Sequence, residues 1–147
     1  MAVPMFRCRR SDKVDLLRKI PLFGRLSQRQ LNAVAKHADE VQLRKGAVLA
    51  KQGAQGLEAI IIVDGRARVE TDGRALAELG AGDVVGEMSV IDGKPRSATV
   101  IAETPMNLLI LHRRDFMSLL ETVPGLQRKL LVTLCERVRQ ADQALTH

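Results

Sequence analysis

Glu87 and Arg96 stand nine positions apart in VGEMSVIDGKPRSATV, residues 85–100, among small residues that leave the backbone accessible. An arginine presents a planar fork of donors that fits two oxygens of a phosphate. A carboxylate accepts hydrogen bonds from hydroxyls but repels an anion. The two side chains could therefore pair with each other on a surface, or face different parts of one ligand that carries both a phosphate and hydroxyls. A sugar phosphate or a nucleotide has both features.

The segment reads as a strand end at Val84 and Val85, a helical turn from Glu87 to Ile91, a tight turn at Asp92-Gly93 and a strand returning from Ser97. Gly86 then opens the helical turn, where backbone N–H groups lack partners and favour an anion. The bend at Gly93 and Pro95 brings Arg96 back beside that turn. Two unit charges at 4 Å interact by about 4 kcal/mol at an effective dielectric of ~20, before desolvation is subtracted, which suffices to orient a phosphate ester.

The flanking sequence must hold this segment in place. Val14, Leu16, Leu17 and Ile20 predict a short helix from Lys13 to Ile20, ended by Pro21. A second helix follows Ser27 as N-cap, with Leu31, Val34, Ala35 and Ala38 as its apolar stripe. From Glu40 to Leu111 the period changes: VQLRK, AVLAKQ, LEAIIIV, RARVET, RALAEL, SATVIA and MNLLIL are short runs separated by glycines, the pattern of a small antiparallel sandwich or barrel. Asp64-Gly65 and Asp72-Gly73 read as hairpin turns, since both dipeptides tolerate positive φ. Helical periodicity resumes at Arg113 to Leu120 and, behind Pro124, from Gly125 to about Leu145. In the last helix Leu131, Leu134, Val138, Ala141 and Leu145 form a short apolar seam; packing against the sheet and a homodimer seam both fit it.

The expected organisation is one domain over 1–147: an N-terminal helical segment 1–39, a β-barrel 40–111 containing residues 85–100, and C-terminal helices 112–147. A chain of 147 residues can bury a core without a disulfide or metal staple. Cys8 and Cys135 match no zinc or redox spacing and suggest reduced thiols, Cys135 within the core. His37, His112 and His147 are scattered, so no metal site is expected. No nucleophile and base pair is visible, so no catalytic residue is assigned and the chain is not read as an enzyme. The basic start MAVPMFRCRRSDK is followed by no signal-peptide core, and no run reaches the roughly 20 apolar residues of a membrane span; a cytoplasmic protein is expected. The net charge of +6 comes without Trp or Tyr and with its basic residues spread along the chain, which argues for a solvated surface rather than a nucleic-acid partner.

The run G-E-M-S, the spacing from Glu87 to Arg96 and the run P-R-S-A-T together resemble the phosphate-binding cassette of cyclic nucleotide-binding domains. This family includes the regulatory subunits of cAMP-dependent protein kinase, the bacterial catabolite activator protein and nucleotide-gated channels. Gly46, Gly53, Gly65 and the G-A-G-D of Gly80 to Asp83 fall where the family places turn glycines, so the resemblance extends over nearly the whole chain. It implies a mainly β fold, an antiparallel jelly-roll barrel with N-terminal helices and two C-terminal helices. It also implies that Glu87, with the Gly86 backbone, binds a ribose 2′-hydroxyl and that Arg96 binds a cyclic phosphate. Ser97 and Ala98 would add donors, Met88 and Ser89 would lie under the ribose, and Val85, Leu79 and Val84 would line the sugar and base. In this family the last helix closes over the base, which makes Arg137 or Leu134 the expected cap. The sequence departs from many members at Leu57 and Ala59, where an Asp and an aromatic residue are common. Ser97 does not choose between cAMP and cGMP; P-R-S-A-T favours cAMP by analogy with bacterial sequences.

The expected function is thus a cyclic nucleotide sensor, with cAMP or cGMP as ligand and no metal, whose last helix shifts about a hinge near Pro124 and Gly125. Since no DNA-binding, kinase or transmembrane segment follows that helix, direct DNA binding is not expected of the chain, and its downstream protein is unknown. Two alternatives differ in class: the sensor half of a transcription regulator lacking its DNA-binding domain, and a degenerate domain that serves as a protein-interaction module. An enzyme on a similar barrel, such as a cupin, would need clustered metal ligands.

Overall fold

The computed structural model describes residues 10–146, with the side chains of residues 10, 11, 87, 88 and 144–146 outside the description. The basic arm at Arg7, Arg9 and Arg10 and the thiol of Cys8 therefore lie outside the described side chains. Two helices, α1 (Arg10–Arg18) and α2 (Gln28–His37), precede strands β1 (Asp39–Leu43), β2 (Val48–Ala50), β3 (Glu58–Asp64), β4 (Ala67–Thr71), β5 (Arg74–Leu79) and β6 (Val84–Val85). The short helix α3 (Glu87–Asp92) leads to β7 (Thr99–Ala102) and β8 (Met106–His112), and helices α4 (Arg113–Thr122) and α5 (Leu126–Thr146) complete the order.

Local signals start these elements where the side chains require it. The Ser27 hydroxyl accepts from the Gln30 N–H at 3.1 Å, and the Gln30 side chain accepts from the Ser27 N–H at 2.9 Å. This reciprocal cap satisfies two donors at the start of α2 and contributes about 1 kcal/mol. Asp72-Gly73 links Thr71 to its partner Arg74, with both turn residues at positive φ, as a two-residue hairpin requires.

The strands form two four-stranded antiparallel sheets, β1-β8-β3-β6 and β2-β7-β4-β5, which face each other without closing into a continuous barrel. Asp64-Gly65 is consequently not a hairpin. It joins β3 to β4 in the opposite sheet, and no pairing of the two strands follows it. A dipeptide that tolerates positive φ permits a reversal but does not select the sheet that the chain enters.

The first sheet is buried on both sides, which explains why LEAIIIV and MNLLIL are almost continuously apolar. Ala59, Ile61, Leu109 and Leu111 pack with Phe23, Phe116 and the helices, whereas Ile60, Ile62, Met106 and Leu108 face the second sheet with Val100 and Ala102. The second sheet alternates: Ala67 and Val69 of β4 turn inward, and Arg68 and Glu70 turn outward, as period-2 geometry dictates. Part of its inner face, including Val69, Ala77 and Leu79, borders a cavity beside α3 and α5.

Helix α5 carries two apolar stripes offset by one residue, or about 100° around the helix. Leu130 and Leu134 belong to the inner stripe, packed with the helix-side core. Leu131 and Val138 lie on the outer stripe, 62% and 60% exposed, and Cys135 between them is exposed too. The expected seam therefore mixes two faces, and the expected core position of Cys135 is corrected: it is one residue out of phase with the buried stripe.

Candidate functional site

Strand β6 pairs with β3, Val85 opposite Ile60 and Val84 opposite Ile61, so residues 84–85 are anchored in the core before the chain turns. Gly86 caps α3 at φ 82°, a left-handed conformation that glycine adopts without strain. A second reason for glycine here is space: a Cβ on Gly86 would fall on the Arg96 guanidinium. Gly93, also left-handed, ends α3 and donates its N–H to Ser89 O at 2.9 Å. The Asp92 carboxylate then accepts from Lys94 N at 2.8 Å, which holds the turn before Pro95.

Arg96 is clamped at both backbone and side chain. Its N–H donates to Ala54 O at 2.8 Å, and its carbonyl accepts from Gly53 N at 2.9 Å. Its guanidinium donates from Nη1 to Gly86 O at 3.0 Å and from Nη2 to Glu58 O at 2.8 Å, and the residue is 9% exposed. A buried arginine oriented by carbonyls has its positioning cost met during folding rather than on binding. The returning strand begins at Thr99 rather than Ser97: the Arg96 backbone is bonded to Gly53 and Ala54 instead of to a neighbouring strand, and Thr99 Oγ1 accepts from Gln52 N at 2.9 Å.

These groups border a cavity of about 250 Å³ between the inner face of the second sheet, α3 and α5. Of the expected residues, Val85, Gly86, Ser89, Arg96, Ser97, Ala98, Leu79, Val84 and Arg137 line it. Glu87 and Met88 occupy the first turn of α3, but their side chains lie outside the described residues. Leu134 does not line the cavity; as an inner-stripe residue it packs against the core, so of the two expected caps only Arg137 reaches it. Arg137 is half-buried and donates from Nη2 to Val84 O at 2.7 Å, which ties α5 to the strand just before Gly86.

Two kinds of lining residue escaped the sequence reading. Ala50, Val69, Ala77 and Val100 form the apolar wall, and the alternation in RARVET and RALAEL pointed to an inward face without revealing that this face was a cavity. Gln140, one turn beyond Arg137, was missed because exposed polar residues on a terminal helix carry no periodic signal. Chemically, the site offers a buried cation, the Ser89 and Ser97 hydroxyls and an apolar wall, the combination that suits an anionic ligand with a flat apolar portion. Among the described residues no group of three His, Cys, Asp or Glu side chains converges. Outside the cavity, the Arg68 guanidinium is raised above its ordinary pKa, chiefly by its hydrogen bond to Glu70 and further by the charges of Glu70 and Glu103.

Residues 40–123, more than half of the chain, match the model of the cyclic nucleotide-binding domain. The chain belongs to the cyclic nucleotide-binding domain family. It is similar to a cyclic nucleotide-gated potassium channel of Rhizobium etli, 37% identical over 132 residues that cover 88% of this chain and 37% of the channel. It is also similar to the cyclic AMP receptor protein of Thermus thermophilus, 30% identical over 130 residues covering 85% of this chain and 60% of the receptor. Among solved structures, the regulatory domain of Toxoplasma gondii PKA with cAMP superposes with a TM-score of 0.78 at 25% identity, covering 87% of this chain and 50% of that one. This chain thus spans less than two thirds of each of these relatives. Among the described residues no helix is long and apolar enough to cross a membrane.

Proposed function

We propose that this cyclic nucleotide-binding domain is a regulatory sensor that prefers cAMP and changes the packing of α5 when the ligand binds. The observation that carries the proposal is the clamped Arg96 guanidinium at the border of a cavity otherwise lined by apolar and hydroxyl-bearing residues. In this reading Arg96 binds the cyclic phosphate, with the Ser97 and Ala98 backbone and the Ser89 hydroxyl adding donors. Glu87 accepts from the ribose 2′-hydroxyl beside Gly86, Met88 stays in the turn beneath the ribose, and Val85, Val84 and Leu79 contact sugar and base.

The base lies toward α5, where Arg137 caps it and Gln140 meets its edge. A glutamine amide carries a donor and an acceptor that match adenine N7 and N6, whereas guanine presents two acceptors there. This, and the named ligand of the Thermus receptor, support cAMP over cGMP. Arg137 connects the cap to Val84, so a ligand that fits better beneath a closed α5 shifts the helix toward that packing by its differential affinity alone. The proposed role is binding without catalysis, on the cytoplasmic side, with self-association through the outer stripe of α5 as one route of output.

Isothermal titration of ligand-free protein with cAMP and then cGMP tests the proposal. Micromolar or tighter binding of cAMP and at least tenfold weaker binding of cGMP is expected. A folded sample that gives no heat with either nucleotide sinks the sensor reading, and equal affinities sink the adenine preference.

A further inference from the structure

Basic residues are spread along the chain, but acidic ones are not. Residues 1–38 hold nine of the 23 Lys and Arg and only two of the 17 Asp and Glu, a net charge of +7 against −1 for residues 39–147. From Leu16 to Ala38 no acidic residue occurs, while Arg18, Lys19, Arg25, Arg29 and Lys36 do, and all five are exposed. The excess positive charge of the protein is therefore confined to the sequence that precedes β1.

The fold gathers these cations. Ile20, Leu22, Phe23 and Leu26 of the α1–α2 connection are buried, and its backbone is tied by the Ile20 N–H to Leu17 O, the Phe23 N–H to Ile20 O and the Leu26 N–H to Phe23 O. Arg18 donates from Nη2 to Gln28 Oε1 at 2.7 Å, which sets the end of α1 beside the start of α2. That acceptor is a neutral amide, so the guanidinium is oriented without losing its charge. Lys19 and Arg29 adjoin the two bonded residues, and Arg25 lies within the loop they close; Lys36 follows Arg29 by seven positions, nearly in line on the exposed side of α2. Asp15 stands one turn before Lys19, yet among the described residues no ion pair joins it to Arg18 or Lys19, nor any acid to Arg25, Arg29 or Lys36.

We propose that this face docks on a bilayer surface rich in anionic lipid. Charge complementarity carries the proposal, since each Lys or Arg held close to such a surface is worth about fivefold in partition. A nucleic acid fits less well: binding a single strand uses aromatic side chains as stacking platforms, and Phe23, the only aromatic residue from 10 to 38, is wholly buried. An acidic protein would have to present its carboxylates in register with cations fixed on two helices and their connection. Anionic lipids diffuse laterally and meet such cations wherever the fold places them. No residue of 10–38 lines the cavity that contains Arg96, so the contact does not use the ligand site.

Co-sedimentation of the full chain with phosphatidylcholine vesicles, with and without phosphatidylserine, tests the proposal. Wild type should partition onto the vesicles that contain phosphatidylserine and not onto the others, and rising salt should release it. Lys19→Gln/Arg25→Gln/Arg29→Gln should lower the partition about a hundredfold. Arg44→Gln/Lys45→Gln/Arg74→Gln makes the same change in net charge at exposed positions elsewhere and should keep most of the binding. Exposed substitutions of this kind should leave both melting temperatures near that of wild type. Wild type that stays in solution with phosphatidylserine vesicles at low salt overturns the proposal, and so do equal losses in the two variants. Tighter binding to a DNA duplex or to polyglutamate than to the vesicles, at the same salt, overturns the assignment to lipid. Should the first variant melt early, Lys19→Gln/Lys36→Gln should lower the partition about twenty-five-fold, and an undiminished partition overturns the proposal. None of these readouts needs a nucleotide, so the proposal stands or falls apart from the sensor reading.

Discussion

Residues 84–100 and helix α5 border the same cavity but are held in opposite ways. The first segment is fixed at every step: β6 in the sheet, two left-handed glycines around α3, an Asp92 turn, and Arg96 bonded through backbone and side chain. Helix α5 is buried at Leu126 and Leu130, but beyond Leu134 its described residues are exposed except for half-buried Arg137. Under the proposed function, the difference separates affinity from response. A preorganised site gains affinity because less ordering remains to be done on binding, whereas a helix whose far half is largely exposed is the element better placed to change its packing.

If the rigid segment carries the affinity, the largest effect comes from its cation. Arg96→Ala should weaken cAMP binding by roughly 2 to 5 kcal/mol, the range for removing one partner of a buried charged contact. Titration calorimetry reads the change, and circular dichroism reports whether the fold is intact. A loss of less than twofold in a folded variant would show that the cavity does not use this arginine.

The attachment of α5 should matter less. Arg137→Ala removes the bond to Val84 O and the proposed cap over the base. Hydrogen bonds from charged groups contribute about 1.5 to 3 kcal/mol when buried, and the half-exposed position of Arg137 reduces this to about 1 kcal/mol. Dissociation of a fluorescent cAMP analogue should accelerate several-fold, with association little changed. Equal dissociation rates would mean that α5 does not close on the ligand. Gln140→Leu should act on selectivity, lowering the ratio of cAMP to cGMP affinity by a few-fold, less than the roughly 1 to 3 kcal/mol that a good amide-to-adenine pair is worth because Gln140 is exposed. An unchanged ratio removes Gln140 from base recognition.

The same contrast explains what the sequence revealed. Residues 84–100 were legible because their geometry is local: Gly86, Gly93, Pro95 and the Asp92 side chain each act within a few residues. Strand β5 spans the run RALAEL over Arg74–Leu79, since the Asp72-Gly73 turn fixes its start. What stayed hidden depends on distant partners. Gly56 reads as one turn glycine among many until Ser89 arrives from more than thirty positions away to take the space of a Cβ. Asp64-Gly65 permits a reversal in either sheet, and only the pairing of β4 with β7 and β5 places the next strand. Leu134 and Cys135 are adjacent, and a one-residue phase error exchanges a core position for an exposed one.

The smallest effect on the isolated domain, and the sharpest test of the outer stripe, comes from Leu131→Gln combined with Val138→Gln. Both residues are mostly exposed and seven positions apart, which places them nearly in line on the helix. Exposed substitutions usually alter stability by no more than about 0.5 kcal/mol, so the melting temperature of dilute protein should hardly change. Self-association, if it uses this stripe, should fall away: sedimentation velocity of wild type at rising concentration should show a dimer that the double variant lacks. A dimer that persists in the variant would place the contact elsewhere and leave α5 as a lid alone. A marked fall in melting temperature of the dilute variant would mean that the outer stripe packs within one chain, which would remove the freedom that the comparison with residues 84–100 assigns to this helix.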